Sequence, residues 1–105
     1  MPFTGKEDHF ISIEEAQKLV SNYQSKIKES DIKAYYVGKD SLQKVLQQDG
    51  CVGVRIYFGE DEEGKLQLVI VGVNSEEKDL DEGYVLERFW PCPPYCNKES
   101  KLMQK

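Results

Sequence analysis

Apolar and polar positions along this chain fall into a few regular patterns. Ile13, Ala16, Leu19, Val20, Tyr23 and Ile27 recur at three- and four-residue steps, which predicts an amphipathic helix running to about residue 27. Ser12-Ile13-Glu14-Glu15 opens it as a capping box. The Ser12 hydroxyl is placed to accept from the Glu15 amide, and the Glu15 carboxylate to accept from the Ser12 amide. Lys18, Lys26 and Lys28 follow toward the C-terminal half, where cations suit the helix dipole. Residues 32–37 are β-branched and aromatic and end at Gly38, so they predict a short strand. Asp40 then caps a second helix of about two turns, which carries Leu42, Val45 and Leu46 and stops at Asp49-Gly50.

The most regular alternation comes next. Val52, Val54, Ile56 and Phe58 alternate with Cys51, Gly53, Arg55 and Tyr57, the signature of a half-buried strand. An acidic turn ending at Gly64 leads into residues 66–73, a return strand that is apolar on both faces from Leu68 onward and so either lies centrally in a sheet or faces a partner. After a second acidic loop, residues 84–90 read as a third antiparallel strand that Pro91 ends. The order helix-strand-helix-strand-strand-strand gives an α+β class: an antiparallel sheet with both helices on one face. That face takes Val52, Val54, Ile56, Phe58, Leu66, Leu68 and Ile70 from the sheet, and Ile13, Leu19, Val20, Leu42 and Leu46 from the helices. The other face carries Arg55, Tyr57, Val69, Val71 and Val73, which is unusually apolar for a solvated surface. Either it is an interface, or a chain end covers it with Phe3, Phe10 or Trp90.

A length of 105 residues fits one domain. Its expected division is a flexible arm over residues 1–11, an α+β domain over 12–96 and a polar tail over 97–105. The net charge of −5, with only Arg55 and Arg88 as arginines and the lysines scattered, argues against nucleic acid. No apolar run is long enough to span a bilayer, and the N-terminus lacks the apolar core of a secretion signal. The expected location is therefore the cytoplasm.

The three cysteines are Cys51, Cys92 and Cys96. The segment Pro91-Cys92-Pro93-Pro94-Tyr95-Cys96 invites comparison with the CPYC redox motif of glutaredoxins. The comparison fails because three residues separate the cysteines instead of two, and no βαβ pattern precedes them. Three readings of the pair remain. It is a proline-rich turn with free thiols, a disulfide that staples the tail, or part of a zinc site completed by Cys51 and His9. The alternation of Glu77, Asp79 and Asp81 resembles an EF-hand loop, but Glu82 stands where glycine is required and Arg88 where the bidentate Glu belongs. Catalytic motifs are absent, and one histidine in the leading arm offers no base for a nucleophile. No cofactor is expected beyond the zinc alternative.

Residues 50–59 (GCVGVRIYFG), 68–74 (LVIVGVN) and 92–96 (CPPYC) together resemble a group of small uncharacterised bacterial proteins. That group carries a V-R-x-Y-x-G strand, an L-x-x-V-G-V return strand and a terminal C-P-x-x-C element. The resemblance spans roughly residues 12–102 and implies a bacterial origin, with no activity or cofactor attached. The functional expectation is a non-enzymatic protein-interaction module that docks a partner or a second copy through the face of Arg55, Tyr57, Val69, Val71 and Val73. The alternative is a metal-binding or redox-responsive protein that uses Cys92 and Cys96, with Cys51 and His9 as further ligands.

Overall fold

The computed structural model describes residues 2–103. Seven elements follow one another: α1 (Ile13–Gln24), β1 (Ala34–Tyr36), α2 (Lys39–Leu46), β2 (Cys51–Glu60), β3 (Leu66–Asn74), β4 (Val85–Leu86) and β5 (Trp90–Cys92). The class is α+β with antiparallel pairing throughout, in the expected order of helices and strands. The expected single sheet is instead two, a three-stranded sheet ordered β2-β3-β4 and a two-stranded sheet of β1 with β5. The chain gathers into two compact units. The first holds the residues up to Glu7 together with Val37–Phe89, and the second holds Asp8–Tyr36 together with the chain from Trp90 onward.

The first unit is built on the β2–β3 hairpin, paired from Cys51↔Asn74 to Glu60↔Leu66 with a bulge between Cys51 and Gly53. Its turn is set by Asp61, whose carboxylate accepts from the amides of Glu63 and Lys65, each at 2.9 Å. Gly64 supplies the left-handed residue, with φ of 81°. β3 is central, as its apolar sequence requires, and Ile70, Val71, Gly72 and Val73 are buried on it. α2 packs on this sheet. Gly38 is its N-cap, with no side-chain capping bond, so Asp40 lies inside the first turn and is not the cap the sequence suggested. Val45 is its one buried side chain. Gln48, just beyond the helix, bonds the Val45 carbonyl through Nε2 at 2.9 Å and accepts from the Tyr84 amide at 2.9 Å, which ties the loop before β4 to the helix.

In the second unit, α1 begins as a cap with one change from expectation. The Ser12 hydroxyl accepts from the Glu15 amide at 3.1 Å, and the Glu15 carboxylate takes the Ser12 hydroxyl proton at 3.3 Å in place of the Ser12 amide. The helix stops at Gln24, so Lys26 and Lys28 fall in the following turn and no basic residue lies in its last turn. None of its side chains is fully buried. The expected strand over residues 84–90 is broken. Arg88 adopts φ of 67°, and the chain on either side of it enters different sheets, β4 pairing with β3 and β5 with β1. Pro91 therefore sits inside β5, opposite Tyr35, where a two-stranded sheet tolerates the missing donor. Residues 97–103 are tied down: Gln24 Nε2 donates to the Leu102 carbonyl at 3.1 Å, and turns form at Asn97–Ser100 and Ser100–Met103. No helix is long and apolar enough to cross a membrane among the described residues.

Candidate functional site

Because side chains alternate along strands, the β2–β3 hairpin has two faces with different fates. The face predicted to be open carries Arg55, Tyr57, Val69, Val71 and Val73. Its inner part is closed: Val71 is 4% exposed and Val73 2%, and Val69 and Arg55 are half-buried, while Tyr57 at the outer end stays 46% exposed. Two pieces of chain account for this. The N-terminal arm anchors by the Phe3 amide, which donates to the Ser75 carbonyl at 3.0 Å, and the Phe3 ring lies 6.0 Å from the Arg55 guanidinium. The loop after β3 folds back as well. Asn74 Oδ1 accepts from the amides of Glu76 and Lys78, and Asp79 bridges to Val73.

Asp79 thereby reaches the two polar side chains of this face. Its carboxylate accepts from Arg55 Nη1 and from the Tyr57 hydroxyl, while Arg55 Nη2 donates to the Glu77 carbonyl at 3.3 Å. The Tyr57 and Arg55 hydrogen bonds hold the Asp79 carboxyl below the ordinary carboxylate range. The same carboxylate pushes the Tyr57 phenol and the Arg55 guanidinium up. The members hydrogen-bond one another, so the cluster clamps the loop to the sheet. Arg55 and Tyr57, two apart on one strand face, interact with each other and share Asp79. The missed residue had one signal, the Asn74-Ser-Glu-Glu-Lys turn that returns the chain toward the β2 face.

The opposite face behaves in reverse. Ile70 is buried at its inner end, beneath α2, where Gly72 packs close to the Gln48 side chain. The outer end is bare: Ile56 is 49% exposed and Phe58 81%, with Leu66 exposed beside them. The sequence placed all three in the core under two helices. Lengths explain the difference. α2, with eight residues, is about 12 Å long, whereas the ten residues of β2 extend about 33 Å. α1 belongs to the other unit.

β2 is also an edge strand, since only β3 pairs with it. The N-terminal arm reaches it at one point, where Gly5 (φ 83°) lies so close to the Val52 carbonyl that a Cβ there would be 2.7 Å from the oxygen. Beyond that point, among the described residues, no backbone hydrogen bond from outside the ladder reaches Val54–Gly59. The result is a row of open donors and acceptors beside exposed Ile56 and Phe58.

The cysteines part company. Cys92 and Cys96 form a disulfide with Cα atoms 4.8 Å apart, so they are not the free thiols of a simple turn. Cys51 is half-buried in the other unit and directs its thiol to the Gly53 carbonyl at 3.2 Å. His9 is exposed. The four candidate zinc ligands are not brought together, and no group of three His, Cys, Asp or Glu able to hold a metal occurs among the described residues. Around the disulfide, Trp90 lies between Tyr36 and Tyr95 with ring centroids 5.9 and 5.2 Å away, and Met103 Sδ sits 3.8 Å from Cys92 Sγ. An open groove of about 950 Å³ runs past Lys28, Lys33, Cys96 and Lys98. Its Lys33 ammonium is already held by the Glu29 carbonyl at 2.6 Å. No protein-family model, curated protein or solved structure matches the chain.

Proposed function

We propose that the protein is an interaction module whose docking element is the outer half of β2, with its open backbone edge and the exposed side chains of Ile56, Phe58 and Leu66. One observation carries this reading: Phe58 stands almost fully in solvent on a strand whose backbone is unpaired on one side. Edge strands of soluble proteins are ordinarily protected, and a bare one is the standard substrate for strand addition. The site differs from the face the sequence suggested, because the arm and the Asp79 loop occupy that one.

A photo-reactive phenylalanine analogue tests it. Placed at Phe58 it is expected to give a discrete cross-linked product in the native cell. Placed at Phe10, more exposed still and in the other unit, it is expected to give none. Equal labelling from both positions, or none from Phe58, contradicts the reading. A second reading, a redox-responsive protein, is favoured by the Cys92–Cys96 disulfide. It predicts that a dithiol reductant lowers amide-exchange protection in the second unit; unchanged protection contradicts it.

A further inference from the structure

We infer that the occupant of the β2 edge is a second copy of this chain, paired antiparallel with β2 about a twofold axis at Ile56. This rests on the interaction reading above and names its partner. The free edge has definite ends. The arm occupies it at Val52 through Gly5, and the turn begins at Asp61, whose amide bonds the Lys65 carbonyl at 3.0 Å. Between these ends lie Gly53 to Glu60, and a twofold axis that keeps like faces together must fall on a residue; at Ile56 it sets apolar Val54, Ile56 and Phe58 against one another, so the paired run is Gly53 to Gly59 and Glu60 stays outside it.

This axis opposes Ile56 to Ile56 of the second copy, Val54 to Phe58, Arg55 to Tyr57 and Gly53 to Gly59. Each opposed pair shares strand parity, so the exposed apolar face of one copy continues onto that of the other. The pairs are aliphatic with aliphatic, aliphatic with aromatic, and cation with aromatic, and no like charges meet. The run contains no proline, no lysine and no bulge, the bulge lying at Cys51/Gly53. Its one charge, Arg55, is turned onto Asp79 on the covered face. An isologous contact of this kind closes on itself and joins two three-stranded sheets into one of six strands. An interface this short belongs at the weak end, with Kd on the order of micromolar.

The test has two parts. Sedimentation of the full chain from about 1 to about 500 µM, bracketing that affinity, is expected to show a monomer becoming a dimer. Ile56→Lys, at a half-exposed site, is expected to weaken association at least tenfold with circular dichroism unchanged; Leu19→Lys on exposed α1 should leave it alone. In a Cys51→Ser background, Ile56→Cys is expected to give an oxidised covalent dimer, since directly opposed Cα atoms lie about 5 Å apart. Val54→Cys should not, because it is displaced by about four residues, or 13 Å, from its own copy. A strict monomer overturns the inference. So does a dimer indifferent to Ile56→Lys and Ile56→Cys. If the Phe58 photoproduct then contains a different protein, the interaction reading stands without self-pairing; if there is no photoproduct either, both fall.

Discussion

The two units of this chain are held together in opposite ways. The first buries four apolar side chains, Val45, Ile70, Val71 and Val73, on and beneath a nine-rung hairpin. The second has a single buried apolar residue, Cys92, and that residue is half of a disulfide. Burial removes apolar area from water and stabilises by about 25 cal/mol per Å². A unit with one buried and otherwise half-buried or exposed apolar residues among those described draws more of its order from covalent closure and local bonds, as very small domains do. In the second unit these are the Cys92–Cys96 bridge, the three-residue β1–β5 ladder, the Trp90 ring contacts and the Gln24–Leu102 bond. The first unit is thus organised around packed side chains, and the second around a covalent closure and local bonds.

The sharpest break in that comparison comes from reduction. The bridge closes a loop of about five residues, for which loop entropy gives about 2 kcal/mol. With so little burial to replace it, a dithiol reductant or Cys92→Ser is expected to abolish amide-exchange protection in α1 and β1, while β3 amides keep theirs. Equal protection before and after reduction would show that the second unit has other support. Next in size, Val45→Ala is expected to cost about 2 kcal/mol through the lost methyl groups and the cavity they leave. It should lower the melting of the first unit alone, followed by exchange at β3.

A smaller effect belongs to the Asp79 clamp, and its sign can be worked out. The Asp79 carboxyl is lowered on folding by the Tyr57 and Arg55 hydrogen bonds. Its contribution is therefore present above the ordinary carboxylate pKa and fades as pH falls through the lowered value. Tyr57 is raised, chiefly by its bond to Asp79. Its contribution is present below the ordinary phenol pKa and fades as pH rises through the raised value. Asp79→Asn is expected to flatten the acid limb of a stability-versus-pH curve for the first unit. A wild-type acid limb in the variant would show that another carboxylate sets it. Smallest of all, Phe58→Lys should change stability by no more than about 0.5 kcal/mol, as expected for an exposed site, while weakening the concentration-dependent association at the β2 edge read by sedimentation.

Much of the fold was legible because its signals are local. Ser12 and Glu15 lie three residues apart, Gly64 closes its own turn, and the alternation from Val52 to Phe58 needs no distant partner. The central position of β3 followed from its being apolar on both faces. What could not be read depends on residues far apart in sequence. The pairing of β1 with β5 joins Tyr36 to Trp90, and nothing within 32–37 or 84–90 encodes it. The left-handed Arg88 that divides the third strand is not a residue type that announces such a conformation. The candidate site was inverted for a similar reason. Composition marked the Val69–Val71–Val73 face as either an interface or a surface covered by a chain end; Phe3 comes across it, as the second alternative expected, and the Asp79 loop joins it. The face assigned to the core is bare because α2 is too short to roof it.

Amide exchange of the β2 strand at low and high protein concentration tests the central claim most directly. The account predicts that exchange between Val54 and Phe58 slows as concentration rises, on the alternate amides that point away from β3, with the rest of the hairpin unchanged. Identical rates for that segment at both concentrations, or slowing confined to another element, would contradict it.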